Sequence, residues 1–581
     1  MRRLSPGLTW VLVAGGLAAC SSGASVPGIR EGAPPRAASA PPATTPADPP
    51  ASYRVTLAPS PLTPEQQIVH VLDRLGYGPR PGEVERVRAA GLTAWIERQL
   101  EPGRIPDEAV ERGLADFPVL PLTAAELHRD YPQPRPQDVQ RLQGGQMTRE
   151  EMREGFPPAR RPPVITAQLQ AAKLTRAVLS ERQLQEVMVD FWLNHFNVYA
   201  QKGPVRWMVP DYERQALRPH ALGRFRDLVV ATAQHPAMLY YLDNWLSTRE
   251  DFTLPPARGG RKLGLNENYA RELMELHTLG VDGGYTQGDV VEVARCFTGW
   301  TIDRPQEGGG FLFRPNTHDR GEKRVLGTVI PAGGAQGDGL TVIDLLVRHP
   351  STARFISSKL VRRFVSDEPP PALVERAART FRAADGDIRA VLVTIFSAPE
   401  FLSAAAHHAK VKTPLEVVAS AARVLGARLD SPADTATPGR AAVAGGGAVL
   451  ARQVAALGEP LYEAQPPTGH PDVGDAWVSA GALLSRMNFA LALAHNRLPG
   501  ARVDLAPLLE GVDRRQPAQV LERLFAVVLR GQVSPDTRRV LIAQLESPEI
   551  VRATADDRGP RNTDVEKLTA LVLGSPEFQR R

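Results

Sequence analysis

Eight residues combine reactive side chains with a suggestive setting: Asn194, His195, Asp243, Glu267, Glu272, His277, His318 and Asp319. Carboxylates and imidazoles that face one another can pass a proton or hold a metal ion. Three of the eight fall in one stretch, "NENYARELMELHTLGVDGGYTQGDVVEVARCFTGWTID", which begins at Asn266. Its spacing accounts for several charges without chemistry. Glu267, Arg271 and Glu275 are four apart on one helix face, the arrangement of intrahelical ion pairs. Thr286 and Asp289 have the layout of a capping box, with Asp where Glu or Gln is usual. Glu272 shares a face with Leu276 and Leu279, where a carboxylate needs a partner. At about 100° per residue, His277 lies roughly 140° from Glu272. No Glu and His here are three or four apart, so this helix cannot chelate a metal alone.

The other candidates sit in three further segments. In "EVMVDFWLNHFNVYA", Glu186, Asp190, Asn194 and Asn197 form a polar stripe on an otherwise apolar helix, which points to a buried network or a cleft wall. His195 faces away from that stripe, among Phe191, Trp192 and Phe196, where a satisfied core histidine is the plainer reading. "HPAMLYYLDNW" ends a helix at Asp243 and Asn244, positions these residues also favour for local hydrogen bonding. "RPNTHDRGEKRVLG" places His318, Asp319 and Lys323 on a loop, which can form an acid–base or anion site or a simple turn.

Helical periodicity dominates the elements that must carry these groups. The pattern predicts a mainly α fold: a multi-helix globular body with helices near 165–180, 181–197, 267–280, 286–298, 350–364, 412–425 and 477–495, among others. Short alternating pieces at Trp300–Ile302, Phe311–Phe313 and Arg324–Val329 predict a small β-hairpin-like insert near 300–330. Cys296 reads as a small buried apolar residue and Trp300 as core.

The chain opens with Arg2 and Arg3 and an apolar run from Leu8 to Ala19, too short to span a bilayer. It ends in Leu17-Ala18-Ala19-Cys20, which resembles the lipobox of bacterial lipoproteins. Residues 1–19 are thus expected to be a lipoprotein signal peptide, with Cys20 lipidated. The mature protein would be exported, anchored through Cys20 and facing the periplasm or cell exterior. Residues 20–62 are rich in Pro and Ala and read as a tether. Residues 63–581 read as a helical domain, with possible subdomains 63–335 and 336–581. The only other cysteine is Cys296, so lipidation of Cys20 leaves no intrachain disulfide.

Lys and Arg number 69 against 64 Asp and Glu, a net charge of +5 that falls to +3 once Arg2 and Arg3 leave with the signal. Without a basic run or an aromatic-basic ladder, nucleic-acid binding is not supported. Phosphate-binding, dinucleotide, nucleophile-elbow, HExxH and haem-attachment motifs are absent. The sequence names no cofactor and no oligomeric state.

The segments "HVLDRLGYGPRPGEVERVRAAGLTAWIERQL", "DFWLNHFNV", "HPAMLYYLDNW", the Asn266–Ile302 stretch, "HDRGEKRVLG" and "GEPLYEAQPPTGHPDVGDAWVSAGALLSRMNFA" together resemble, in order, the bacterial family called domain of unknown function 1800 (DUF1800). Leu193 stands where members often carry a second His, which weakens a metal or haem role for His195. The resemblance implies no established activity. It does imply export and a sulfatase- or phosphatase-like partner protein, because genes of such a family often lie beside those of DUF1800. Two readings follow: a lipid-anchored enzyme using carboxylate/His acid–base or metal chemistry, or a non-catalytic binding or assembly lipoprotein. Convergence of Glu272, His277, His195 and Asp243 within hydrogen-bond reach around one concave pocket would favour the first; their scattering, or each meeting an Arg in a packed interior, would count against it.

Overall fold

Helix starts are written into the chain as Thr boxes. Thr63 with Gln66, Thr286 with Asp289 and Thr413 with Glu416 each exchange side-chain and backbone hydrogen bonds at a helix N-terminus. The computed structural model describes residues 53–254, 256, 260–432, 445–545 and 563–581. The signal segment and Cys20 lie outside the described residues.

The principal helices are α1 (Pro64–Leu75), α2 (Pro163–Leu179), α3 (Gln183–His195), α4 (Asn268–Glu272), α5 (Gln287–Phe297), α6 (Gln336–Arg348), α7 (Pro350–Phe364), α8 (Pro371–Ala383), α9 (Pro414–Val424), α10 (Gly446–Ala456), α11 (Ala480–Ala494) and α12 (Val565–Leu573). Among the described residues the strands form only two-stranded antiparallel pairs. The fold is therefore mainly α with small hairpins, as the periodicity predicts. No helix among the described residues is long and apolar enough to cross a membrane.

Helices α7 and α8 pack together, as do α2 with α10 and α11 with α12. One continuous cluster of buried apolar residues runs from Val55 to Phe578. Residues 53–62, assigned to the tether by composition, lie along this body. Val55 is buried, Tyr53 donates to Asp387 at 2.8 Å, and Ser60 donates to the Leu402 carbonyl at 2.6 Å. Tyr53, Val55, Leu57 and Leu62 supply enough apolar surface to hold a strap that Pro-rich composition alone assigns to the tether.

The β-insert pairs β1 (Trp300–Ile302) with β2 (Phe311–Phe313). The third predicted strand, 324–329, is instead a hairpin of β3 (Lys323–Val325) and β4 (Thr328–Ile330). Leu326 and Gly327 both take positive φ at its turn, which folds the run back on itself. A short pair, β5 (Arg428–Leu429) with β6 (Ala501–Arg502), has no sequence signal.

Buried ion pairs tie distant segments together. Arg423 on α9 is fully buried. It donates to the carbonyls of Gly78 at 2.6 Å and Val178 at 2.8 Å, and to Glu83 at 2.9 Å. Burial pulls its guanidinium down to about 10, still cationic at neutral pH. Glu213 meets Arg176 at 3.3 Å, Arg218 at 3.0 Å and the Tyr462 hydroxyl at 2.5 Å. Burial alone raises its carboxyl, but Arg218, Arg176 and Lys173 outweigh that and hold it at about 2, against 4.5 when unperturbed. A depressed folded value contributes stability that is present above pH 4.5 and lost as pH falls toward 2. Denaturant unfolding followed through that window is expected to show the loss in the wild type, and Glu213→Gln is expected to remove this component.

Candidate functional site

The polar stripe of α3 faces the segment that links α10 to α11. Asn194 donates to the His470 carbonyl at 2.9 Å and accepts the His470 N–H at 2.7 Å. Asn197 donates to the carbonyls of Ala464 and Pro466 at 2.9 and 2.8 Å. Gly469 takes φ +73°, and a Cβ there would lie 2.3 Å from Asn194 Oδ1, so glycine is needed both for the turn and for the close approach. Two amide side chains thus clamp an irregular loop onto a helix.

Between that loop and helices α2, α3, α7 and α9 lies a pocket of about 80 Å³. Its charges are mostly paired. Lys173 meets Asp190 at 2.5 Å and Lys359 meets Asp472 at 2.8 Å. Arg363 and Arg581 share Glu416 at 2.7 and 2.9 Å, and Lys410 pairs with Asp367 behind the wall. Arg362 also lines the pocket and has no carboxylate partner among the described residues.

Glu459 is the exception among the carboxylates. It is 6% exposed, accepts the Leu415 N–H at 2.8 Å, and has no ion pair among the described residues. Burial, reinforced by Asp190 and Glu416 and opposed by Leu415 N–H and Lys173, pushes its carboxyl up to about 8. It therefore carries a proton at neutral pH. His470 beside it is held below its usual range by burial and stays neutral. A proton-bearing carboxyl in a cation-lined pocket can act as a general acid, and above pH 8 as a base.

The eight sequence candidates do not share this pocket. Asn194 lines it. His195 stands behind it, stacked on Phe191 with 6.4 Å between ring centroids, and its Nε2 meets the His277 carbonyl at 3.1 Å. His277 is buried next to it, and burial lowers its imidazole to about 3. Asp243 pairs with Lys202 at 2.9 Å. Glu267 pairs with Arg271 at 3.1 Å and accepts from Gln287 at 2.7 Å, as helix spacing predicts for Arg271. Glu272 is partly buried, and burial with nearby Glu275 raises its carboxyl.

The helical reckoning for His277 is corrected by a π turn. The predicted helix 267–280 is α-helical only to Glu272, and Leu273–Thr278 winds as π-helix, with Leu279 N–H bonded to Met274 O at 2.9 Å. Angles computed at α spacing do not apply past Glu272.

The β-insert brings His318 and Asp319 together with groups of their own. His318 meets Asp338 at 3.1 Å, and Asp338 meets the fully buried Lys323 at 2.6 Å. Asp319 forms a two-pronged pair with Arg295 at 2.8 and 3.1 Å, and Arg295 also holds Glu292 at 2.7 Å. This closed network shares no lining residue with the α3 pocket. Cys296 beside it is buried, its thiol pushed up to about 12 by burial. Among the described residues no three His, Cys, Asp or Glu side chains are grouped as a metal ion would require.

Sequence reasoning caught the cleft wall of α3 but missed Glu459, His470, Asp472, Lys173 and Lys359. The available signal was the loop "GEPLYEAQPPTGHPDVGDAW", where Glu, His and Asp sit in an aperiodic Pro/Gly run. Compared with known families, residues 70–580 match a family model described as "Protein of unknown function (DUF1800)". No curated protein and no solved structure matches the chain.

Proposed function

The chain belongs to the DUF1800 family, whose description names no reaction, and we propose that it is a lipid-anchored envelope enzyme whose acid–base group is Glu459. The observation that carries this reading is a buried carboxyl pushed up to about 8 in the wall of a pocket lined by cationic side chains. Such a value lies close to a working pH near neutrality, where proton transfer is most efficient. Glu459 would give its proton to a departing group and take one back. Lys359 and Lys173 would orient the substrate, and Asn194 would act through the His470 loop as a positioning residue.

The reading is tested by carbon-13 NMR of the Glu459 carboxyl, assigned by comparison with Glu459→Gln. The expected titration midpoint is near 8, and a midpoint near 4.5 removes the acid–base role. Hydrolytic or isomerising activity found in a substrate screen is expected to follow the same ionisation and to fall about 100-fold or more in Glu459→Gln.

Lipid anchoring through Cys20 rests on the signal segment, with its Leu-Ala-Ala-Cys ending. Cys20→Ser is expected to move the protein from the membrane fraction to the soluble one, because the acyl chains supply the membrane affinity. Immunoblots of separated fractions measure this. A variant still wholly in the membrane fraction would remove the anchor.

A further inference from the structure

Two features of the α3 pocket remain unused by the acid–base reading: its charge balance and its idle donors. Six cationic side chains line it: Lys173, Lys359, Arg362, Arg363, Lys410 and Arg581. Asp190, Glu416 and Asp472 line it as carboxylates, and Asp367 stands directly behind Lys410. With the proton on Glu459, six side-chain cations face four side-chain carboxylates, an excess of two positive side-chain charges. Arg362 belongs to the excess because no carboxylate pairs with it among the described residues. One charge from the Arg363 and Arg581 pair belongs to it as well, because both guanidinium groups share the single carboxylate of Glu416.

The idle donors point the same way. Arg581 is 3% exposed, and its Nε and Nη1 groups have no acceptor among the described residues. Trp477 is 8% exposed, and its indole N–H likewise has none among the described residues. Both residues line the pocket. Buried donors are rarely left unpaired, and unpaired donors within the wall of a pocket with surplus positive charge match a group that only accepts hydrogen bonds and carries negative charge. At about 80 Å³ the pocket is well below the roughly 300–1,000 Å³ that encloses a drug-sized molecule, so it suits a small charged group rather than a whole ligand.

We infer that this pocket binds an oxyanion group of the substrate, a phosphoryl, sulfate or carboxylate group, seated against Arg362, Arg581, Lys359 and the Trp477 indole. This deepens the reading of Glu459 and rests on it for placing the group at a reaction centre. The binding itself does not need Glu459 to react.

Isothermal titration of the full chain in detergent at pH 6.5 tests it, with inorganic phosphate, sulfate and acetate as separate probes and chloride holding the ionic strength. At least one probe is expected to bind saturably in the millimolar range or tighter, and the preferred probe identifies the oxyanion. Arg362→Gln breaks no ion pair and is expected to weaken binding about tenfold, the loss of one charge-assisted hydrogen bond. Lys359→Gln is expected to act similarly, with circular dichroism confirming that both variants fold. Glu459→Gln is expected to keep the affinity, since the residue is uncharged in both forms at that pH. No saturable binding of any probe, or binding unchanged in both Arg362→Gln and Lys359→Gln, overturns the inference. If binding fails while Glu459 titrates near 8, the oxyanion is wrong and the acid–base group stands. If binding holds while Glu459 titrates near 4.5, the reverse is true.

Discussion

Glu459→Gln is expected to stabilise the protein at pH 9 by roughly 2–5 kcal/mol and to leave its stability at pH 4 nearly unchanged. The carboxyl is raised in the folded state to about 8, from an ordinary 4.5. A raised value gives stability that is complete below pH 4.5. It drains away as the unfolded chain ionises and the folded one cannot, until the folded carboxyl ionises near pH 8. Above that the deficit is constant. Gln keeps a carbonyl oxygen for the Leu415 N–H and carries no charge to desolvate, so the variant skips the decline. Urea unfolding at pH 4 and pH 9 reads both values. Equal differences at the two pH values would show that Glu459 is not held protonated. A residue whose removal steadies the fold and abolishes activity is what a strained functional group looks like.

Arg423→Met has the opposite sign and a comparable size, a loss of about 3–5 kcal/mol. The buried guanidinium satisfies the Gly78 carbonyl after α1, the Val178 carbonyl near the end of α2, and the carboxylate of Glu83, itself 3% exposed. Methionine fills the volume, leaves two carbonyls without this donor and takes the close cation from the buried carboxylate, which keeps only the Arg80 N–H at 2.8 Å and the Arg80 guanidinium at 3.9 Å. The double variant Arg423→Met with Glu83→Gln is expected to recover part of the loss, because the stranded charge is the largest component. Chemical denaturation of the two variants measures the difference. A double variant no better than the single would place the cost in packing rather than charge.

Elements with an apolar stripe were legible in the sequence. Helices α2 and α3, the stripe on α3, the capping of α5 and the strands β1 and β2 all follow from periodicity and turn residues. Glu108–Leu114, Ala124–Asp130, Pro136–Gln143 and Arg149–Gly155 are helices with no apolar periodicity, marked at most by the capping boxes of Thr123 with Glu126 and Thr148 with Glu151: short, strongly charged, the last two with no buried residue. Periodicity cannot register an element that buries nothing. The π turn was equally invisible, because an α period was assumed through Leu273–Thr278.

The candidate site was half legible for a similar reason. Asn194 and Asp190 announced themselves as polar residues on an apolar helix. Glu459 stands in an aperiodic loop, and its raised carboxyl depends on burial under α3 and α9, neither of which is near it in sequence. His195 and His277 were conspicuous by type, yet both are packed beneath aromatic rings. Chemical type at a position and placement at a cavity are separate facts, and only the second is set by tertiary packing.

The clamp between Asn194 and His470 joins residues 276 positions apart. During synthesis, α3 is complete long before the loop that covers it has been made. A chain stopped between residues 197 and 459 owns the stripe, Lys173 and Asp190, but has no Glu459 and no lid over the cations. The pocket is thus a late product of assembly. A chain lacking residues 459–581 lacks Glu459, the His470 loop and Arg581, so the complete pocket exists only once that part has docked.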